Sequence, residues 1–155
     1  MPTFDFLYWT QETGATLTRD GPIIPVEVSM PTALEEFCTQ KGIMIPPPQS
    51  GYALIDTGAS ATSMDESVLQ QLSILPIDRV PCSSTTTTDK AFVYPTRISM
   101  PTLNLKDFSL ARVIGCKLKW KTTDGKEIIM LVGRDILQYM VMIYNGRNSS
   151  LTLAF

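Results

Sequence analysis

The sequence predicts a single, mostly β domain with two or three short helices. Short runs that are apolar throughout, or that alternate between apolar and polar residues, recur along the chain, and Gly, Pro, Asp and Asn separate them. The chain has 155 residues, enough for one ordinary domain. With 44% hydrophobic and 18% charged residues, it has the apolar side chains that a folded core requires.

The predicted strands share either a two-residue alternation or an uninterrupted apolar run. They lie at residues 24–30, 52–55, 92–94, 96–100, 108–114, 117–121, 128–132, 141–144 and 151–155. The run 128–132 is apolar throughout, so we expect it to be buried on both faces. Asp124-Gly125 and Asn145-Gly146 are typical turns between the strands of a β-hairpin.

Capping-box sequences mark two of the predicted helices. Thr32 with a glutamate three residues later predicts a helix over residues 33–41, which Gly42 would end. Ser63, again followed by a glutamate at the third position, predicts a helix over about residues 64–72. Residues 134–139 are interpreted as a third short helix.

The first 22 residues have a mixed pattern. They contain an aromatic patch made of Phe4, Phe6, Leu7, Tyr8 and Trp9. This patch is either a strand or a docking arm, and a turn at Asp20-Gly21-Pro22 follows it. We therefore expect residues 1–22 to be an N-terminal arm or strand and residues 23–155 to form the main domain.

Composition argues against several classes of protein. The net charge is −2 and there is no run of Lys or Arg, so no nucleic-acid partner is expected. No apolar run approaches the length of a membrane span, and no basic region followed by an apolar core marks a secretory signal. The three cysteines, Cys38, Cys82 and Cys116, are far apart and indicate ordinary thiols in a reducing compartment. We expect a cytoplasmic protein with no membrane segment in this chain.

The chain contains no histidine. This excludes Ser-His and Cys-His nucleophilic catalysis and most zinc hydrolase sites. Hydrolytic chemistry would have to use carboxylates, or a lysine or serine without imidazole. We expect neither a metal nor a cofactor.

The sequence Asp56-Thr57-Gly58 is the strongest candidate for chemistry. It follows a run without charge, so a carboxylate stands at the end of a buried strand, where it needs hydrogen-bond partners. Thr57 carries a hydroxyl group, and Gly58 permits a tight turn or the close approach of another chain. The alternative is an ordinary strand end followed by a turn.

An internal repeat relates the two halves of the chain. Val28-Ser29-Met30-Pro31-Thr32 recurs as Ile98-Ser99-Met100-Pro101-Thr102, and each copy leads to a buried strand, a glycine and a helix. In this alignment Asp56 corresponds to Leu131, so only one half carries the carboxylate. The alternative is that two β-hairpin units merely look alike.

Two motifs in this order resemble those of the retropepsin-like (retroviral-type) aspartic proteases. The stretch 53–60, Ala-Leu-Ile-Asp-Thr-Gly-Ala-Ser, resembles their active-site loop. Leu131-Val132-Gly133-Arg134-Asp135 resembles their second motif, two apolar residues followed by Gly, Arg and Asp or Asn at a helix start. The resemblance covers about residues 23–155, and the long inserts are more typical of cellular or bacterial members than of viral ones.

The resemblance implies a single-domain acid-protease β-barrel that forms a symmetric homodimer and acts on peptides or proteins. Asp56 would be catalytic, within a loop that includes Thr57, Gly58, Ala59 and Ser60. Gly133, Arg134 and Asp135 would give structural support. Gly133 would pack beside the loop, and Arg134 would anchor the loop from below. For Asp135, the role of a carboxylate at a helix start is favoured over a catalytic role. In viral members an acid occupies the position of Ser60 and pairs with the helix arginine, so the partner of Arg134 is left open.

A polar segment, residues 83–90, lies where such proteases carry a flap. It is rich in hydroxyl groups and contains no glycine, whereas the flap tip of the family is usually rich in glycine. Either it is a flexible surface loop, or it is a hairpin that folds over a cleft. The possible flap residues are Ser84, Thr85, Thr86, Thr87 and Thr88.

Amide hydrolysis by carboxylates requires two of them, one to activate water and one to protonate the carbonyl oxygen, as is known for aspartic proteases. The partner of Asp56 is therefore expected to be Asp56 of a second copy. The C-terminal strand, residues 151–155, is apolar enough to form part of the interface between the copies, and the N-terminal aromatic patch could add to it. Two alternatives remain: a glycoside hydrolase, which needs a second acid across a sugar site, and a non-catalytic peptide-binding or dimerisation domain on the same fold.

Overall fold

The computed structural model describes residues 8–12, 16–84, 87–103, 107–118 and 120–154. The helical segments are α1 (Thr16–Asp20), α2 (Thr32–Lys41), α3 (Glu66–Gln71), α4 (Arg134–Leu137) and a 3-10 turn at Pro101–Leu103. The strands are β1 (Tyr8–Glu12), β2 (Ile23–Ser29), β3 (Gln49–Ile55), β4 (Ser63–Asp65), β5 (Asp78–Ser84), β6 (Thr87–Ser99), β7 (Phe108–Cys116), β8 (Trp120–Lys121), β9 (Glu127–Val132), β10 (Val141–Asn145) and β11 (Ser150–Ala154). The prediction of a mostly β fold is confirmed, and the described residues form four short α-helices and a 3-10 turn where two or three short helices were expected.

Six strands close into a barrel in the order β2-β3-β9-β4-β7-β6, because β2 also pairs with β6. The pairs β3–β9 and β4–β7 are parallel, and the other pairs of the barrel are antiparallel. Strand β5 extends β6 as a hairpin, and β8 pairs with β9. A separate antiparallel sheet has the order β1-β11-β10. The predicted hairpin turns at Asp124-Gly125 and Asn145-Gly146 are confirmed by the β8–β9 and β10–β11 pairs.

The two copies of the internal repeat lie side by side. Val28 is directly opposite Ile98 in the antiparallel β2–β6 pair, with Glu27 opposite Ser99 and Ser29 opposite Arg97. Each copy continues through a helical segment into a strand that pairs back on it, β3 on β2 and β7 on β6. This local twofold arrangement favours a true repeat over a chance likeness.

The barrel encloses one hydrophobic core. Strand β9 contributes Ile129, Met130 and Val132, which confirms that it is buried on both faces. Leu17 of α1 is also part of this core, and β1 pairs with β11, so described residues from the N-terminal 22 pack on the rest of the domain. None of the helices in the described part of the chain has the length and apolar character needed to cross a membrane.

Both capping-box predictions were wrong in detail. Helix α2 begins at Thr32 after Pro31, and its predicted box is absent because Arg97 of β6 binds both members, donating to the Thr32 hydroxyl oxygen and to the Glu35 carboxylate. Helix α3 begins only at Glu66, since residues 63–65 pair as β4 with β7 and β9. Asp65 caps α3 instead, accepting from the Ser67 N–H at 2.9 Å.

The predicted strand 117–121 is mostly absent. Only Trp120 and Lys121 form ladder pairs, and Lys119 lies outside the described residues. The N–H of Leu118 donates to the Asp65 carboxylate at 2.7 Å and not to a neighbouring strand. A side-chain acceptor has therefore replaced the expected strand pairing.

Three carboxylates should make the fold less stable in acid. Hydrogen bonds from the Thr122 hydroxyl and from Lys126 lower the pKa of Asp124 to about 2. The Arg19 guanidinium lowers the pKa of Asp20. The pKa of Asp78 is lowered by the Arg79 N–H and, to a smaller extent, by Arg112. Because each folded-state pKa lies below its unfolded value, the stabilisation is complete above about pH 5 and declines as the pH falls from about 4 towards 2.

The free energy of unfolding in urea, measured from pH 7 to pH 2, should show this decline. An Asp124→Asn variant should show a shallower one, since its amide does not titrate. A stability that stays level or increases down to pH 2 would contradict the assignment.

Candidate active site

Asp56 directly follows the last residue of β3, beside the end of β9. The Asp56 N–H donates to the Val132 carbonyl at 2.9 Å, which continues the parallel β3–β9 ladder by one residue. On the other side of β3, the Ile55 N–H donates to the Pro22 carbonyl at 2.9 Å. The backbone of Asp56 is therefore held by the barrel, while its side chain is only half-buried.

The residues after Asp56 fold back on its carboxylate. Asp56 Oδ1 accepts from the Gly58 N–H at 2.9 Å, and the Asp56 carbonyl accepts from the Ala59 N–H at 3.2 Å. A Cβ atom on Gly58 would lie 3.1 Å from Asp56 Oδ1, so any side chain there would press on the carboxylate. Thr57, Gly58 and Ser60 are exposed and Ala59 is half-buried, so this turn faces outward from the single chain.

Gly133 lies against the far end of the same loop. A Cβ atom at this position would be 2.5 Å from the carbonyl carbon of Ala61 and 2.8 Å from the Thr62 nitrogen. Backbone atoms cannot move aside as a flexible side chain does, so only glycine allows β9 to approach the loop this closely.

Arg134 binds the loop through backbone carbonyl groups. Its Nη1 donates to the Thr57 carbonyl at 2.8 Å and to the Gly58 carbonyl at 3.0 Å, and its own N–H donates to the Ala59 carbonyl at 3.0 Å. The sequence left the partner of Arg134 open because Ser60 is not an acid. The structure shows that carbonyl oxygens of the turn take that place.

Asp135 holds the end of the loop through Thr62. Its Oδ2 accepts from the Thr62 N–H at 2.9 Å and its Oδ1 from the Thr62 hydroxyl at 2.7 Å, while the Ile136 N–H also donates to Oδ1 at 3.0 Å. Thr62 is fully buried, and sequence reasoning did not single it out. The only signal was indirect: a half-buried carboxylate at a helix start needs donors from another segment.

The described part of the flap candidate is a hairpin. Ser83 pairs with Thr88 and Ser84 with Thr87, at the end of the β5–β6 ladder. Thr85 and Thr86 lie outside the described residues. This geometry favours the hairpin over an irregular surface loop.

Strand β10 of the β1-β11-β10 sheet carries exposed apolar side chains. We expected the apolar C-terminal strand to form part of a dimer interface, but β11 is the central strand, and Leu151 and Leu153 are buried in the core of their own chain. On β10, Val141 and Ile143 are each 56% exposed and, two residues apart, share a face. Among the side chains that the structure describes in this sheet, the exposed apolar ones are therefore on β10.

Comparisons with known proteins agree with this architecture. The sequence model of the aspartyl protease family matches residues 49–136, and no curated protein matches the chain. Among solved structures, a retropepsin-like aspartic protease from Rickettsia conorii superposes with a TM-score of 0.55 at 15% identity, over 100% of this chain and 98% of that one. The retroviral protease-like domain of Ddi1 from Leishmania major gives a TM-score of 0.43 at 13% identity, over 83% and 84% of the two chains. The EIAV protease in complex with the inhibitor HBY-793 gives 0.39 at 18% identity, over 58% and 76%. This chain belongs to the aspartyl protease family and has the retropepsin-like fold.

Proposed function

We propose that this protein is an aspartic endopeptidase whose active site forms between two copies of the chain, each supplying Asp56. The observation that carries the proposal is the position of Asp56: its backbone is fixed to β9, and its half-buried carboxylate stands in an outward-facing turn. Because the chain has no second Asp-Thr-Gly or Asp-Ser-Gly, the other carboxylate must come from a second molecule.

In this mechanism the two Asp56 carboxyl groups share one proton. The ionised group takes a proton from water as the water oxygen attacks the peptide carbonyl carbon, and the protonated group donates to the carbonyl oxygen. When the C–N bond of the tetrahedral diol breaks, the leaving amine takes its proton from the carboxyl group that received one from water. A hydroxyl of the diol gives its proton to the other carboxylate as the carbonyl forms again, so the pair ends with one proton, as it began. No metal or cofactor takes part in these steps.

The neighbouring residues have supporting roles in the proposed dimer. Thr57 and Gly58 are exposed in the single chain, which leaves them free to meet the equivalent turn of the partner across the twofold axis. Gly133, Arg134 and Asp135 brace the turn from within the chain. The β5–β6 hairpin, whose last described pair is Ser84 with Thr87, would close over a bound peptide as a flap.

The two other functions are less well supported. A glycoside hydrolase needs a second acid free to act, but Asp135, the other acid of the two motifs, already accepts hydrogen bonds on both carboxylate oxygens. A non-catalytic peptide-binding domain has no need of a carboxylate fixed at the end of a buried strand, and binding without cleavage would reveal it.

Incubation of the dimer with a mixed peptide library between pH 3 and pH 8, followed by mass spectrometry, tests the proposal. We expect internal peptide bonds to be cut, with a bell-shaped dependence on pH and a maximum on the acidic side, because only the singly protonated pair is active. Asp56→Asn should lower the rate by a factor of about 10³ or more without unfolding the protein. Cleavage that survives Asp56→Asn, or a rate that rises steadily into alkaline pH, would point to another base such as a lysine.

A further inference from the structure

Thr62 is joined to Asp56 through a single peptide group. The Val132 carbonyl accepts from the Asp56 N–H at 2.9 Å, and the Gly133 N–H of the same peptide donates to the Thr62 hydroxyl oxygen at 3.1 Å. The carbonyl and N–H of a trans peptide point in opposite directions, so this planar group lies between Asp56 on one side and Thr62 on the other. A rotation of the peptide would move both contacts together.

The chemistry of the three groups determines the direction of each hydrogen bond between Asp135, Thr62 and Gly133. An N–H can only donate, so the Thr62 oxygen accepts from Gly133, and an ionised Asp135 can only accept, so the Thr62 hydroxyl donates its one proton to Oδ1 at 2.7 Å. Thr62 is 0% exposed, so water does not compete for these bonds. The hydroxyl therefore has one orientation, and successive hydrogen bonds of this kind strengthen one another.

We propose that Thr62 is a positioning residue for the reaction: its hydroxyl group links Asp135 to the Val132–Gly133 peptide and thereby fixes the backbone of Asp56. The inference rests on the proposed function and adds a residue that neither sequence motif contains. The relay runs from Asp135 through the Thr62 hydroxyl and the peptide to the Asp56 N–H. Its purpose is to keep the two Asp56 carboxylates of the dimer at the separation at which they share a proton.

The chain offers a matched control at Thr122. This threonine is also buried, at 6% exposure, and its hydroxyl likewise donates to an aspartate, Asp124, and accepts from a backbone N–H, that of Lys126, at 2.9 Å. It lies in the turn that precedes β9, whereas Gly133 follows the other end of that strand. Thr→Val at either position removes the same two hydrogen bonds with the same change in shape, but only Thr62 belongs to the relay.

The test compares kcat, KM and the pH profile of Thr62→Val, Thr62→Ser and Thr122→Val, each assayed as the folded dimer with the best substrate from the peptide library. We expect Thr62→Val to lower kcat by about 10- to 100-fold with KM within about threefold of wild type, because misplacement of a reacting group acts on the transition state. The two apparent pKa values should move towards each other, since carboxylates held further apart interact less. Thr62→Ser should have a kcat within about threefold of wild type. Thr122→Val should also have a kcat within about threefold of wild type, although it should lose about as much thermal stability as Thr62→Val.

The inference is wrong if Thr62→Val and Thr122→Val lower kcat equally, or if the pH profile of Thr62→Val is unchanged. Should Thr62→Val fail to fold, Thr62→Ala decides, because it removes the hydroxyl group without placing a second methyl group against Gly133 and Asp135. In that case a kcat at least about tenfold below that of Thr62→Ser supports the relay, and an equal kcat overturns it. An inactive wild-type protein would instead refute the proposed function, so the two failures are distinguishable.

Discussion

Replacing Gly133 with alanine should prevent the domain from reaching its native structure or lower its free energy of unfolding by about 3 kcal/mol or more. The backbone of Gly133 has an ordinary φ of −88°, so the expected cost is steric. The new methyl group would lie 2.5 Å from the carbonyl carbon of Ala61 and 2.6 Å from its oxygen, both backbone atoms. Relief would require β9 and the loop to separate, which would break the Asp56–Val132 and Gly133–Thr62 hydrogen bonds. Peptide cleavage should be lost even in the fraction that folds.

Gly146→Ala is the control for this prediction. Gly146 lies in the β10–β11 turn, and a Cβ atom there would meet Tyr144 at an ordinary 3.5 Å. We expect its free energy of unfolding to stay within about 1 kcal/mol of wild type. If thermal or urea unfolding showed the two alanine variants to be equally stable, the close packing of β9 on the loop would not be a requirement of the fold.

Ile143→Asp should convert the proposed dimer into a monomer and abolish cleavage at protein concentrations where wild type is active. Ile143 and Val141 are each 56% exposed on β10, which has only β11 as a neighbour among the described strands. An exposed apolar edge strand is a typical association site. A carboxylate at Ile143 is solvated in the monomer but would be buried without a partner in the dimer.

The matched variant is Met44→Asp, which places the same charge on another exposed apolar residue. Met44 is 89% exposed in the segment after α2 and belongs to no strand of the β1-β11-β10 sheet. Sedimentation and activity should remain those of wild type. A dimer of Ile143→Asp with unchanged activity would show that the second copy does not dock through β10.

The elements of the fold were largely predictable, whereas the contacts of the candidate site were not. Alternation and apolar runs located β2, β3, β7 and β9, because each strand contributes residues to one core and the pattern is local. The start of α2 depended on Arg97, a residue more than sixty positions away, which no local capping rule considers. The same limit applied to Arg134, whose acceptors are carbonyl groups that carry no side-chain signal.

Two further features depended on tertiary packing. The apolar C-terminal strand suggested an interface, yet Leu151 and Leu153 of β11 are buried in the core of their own chain, and the exposed apolar side chains that the structure describes in this sheet belong to β10. Thr62 lies between two motifs without matching either, and its importance follows only from the peptide that it holds. In both cases the role of a residue depends on the direction in which its side chain points in the folded chain, which the sequence pattern did not reveal.

Dimers of mixed composition test whether two copies of Asp56 form one active site. Wild-type and Asp56→Asn chains carrying different affinity tags can be mixed, exchanged and purified in succession, so that every dimer contains one of each. Their rate of peptide cleavage is then compared with that of the wild-type dimer at equal dimer concentration. We expect the mixed dimer to be nearly inactive, because a single carboxylate cannot act as both general base and general acid. A mixed dimer that keeps half of the wild-type activity, or a wild-type monomer that keeps all of it, would contradict the shared active site.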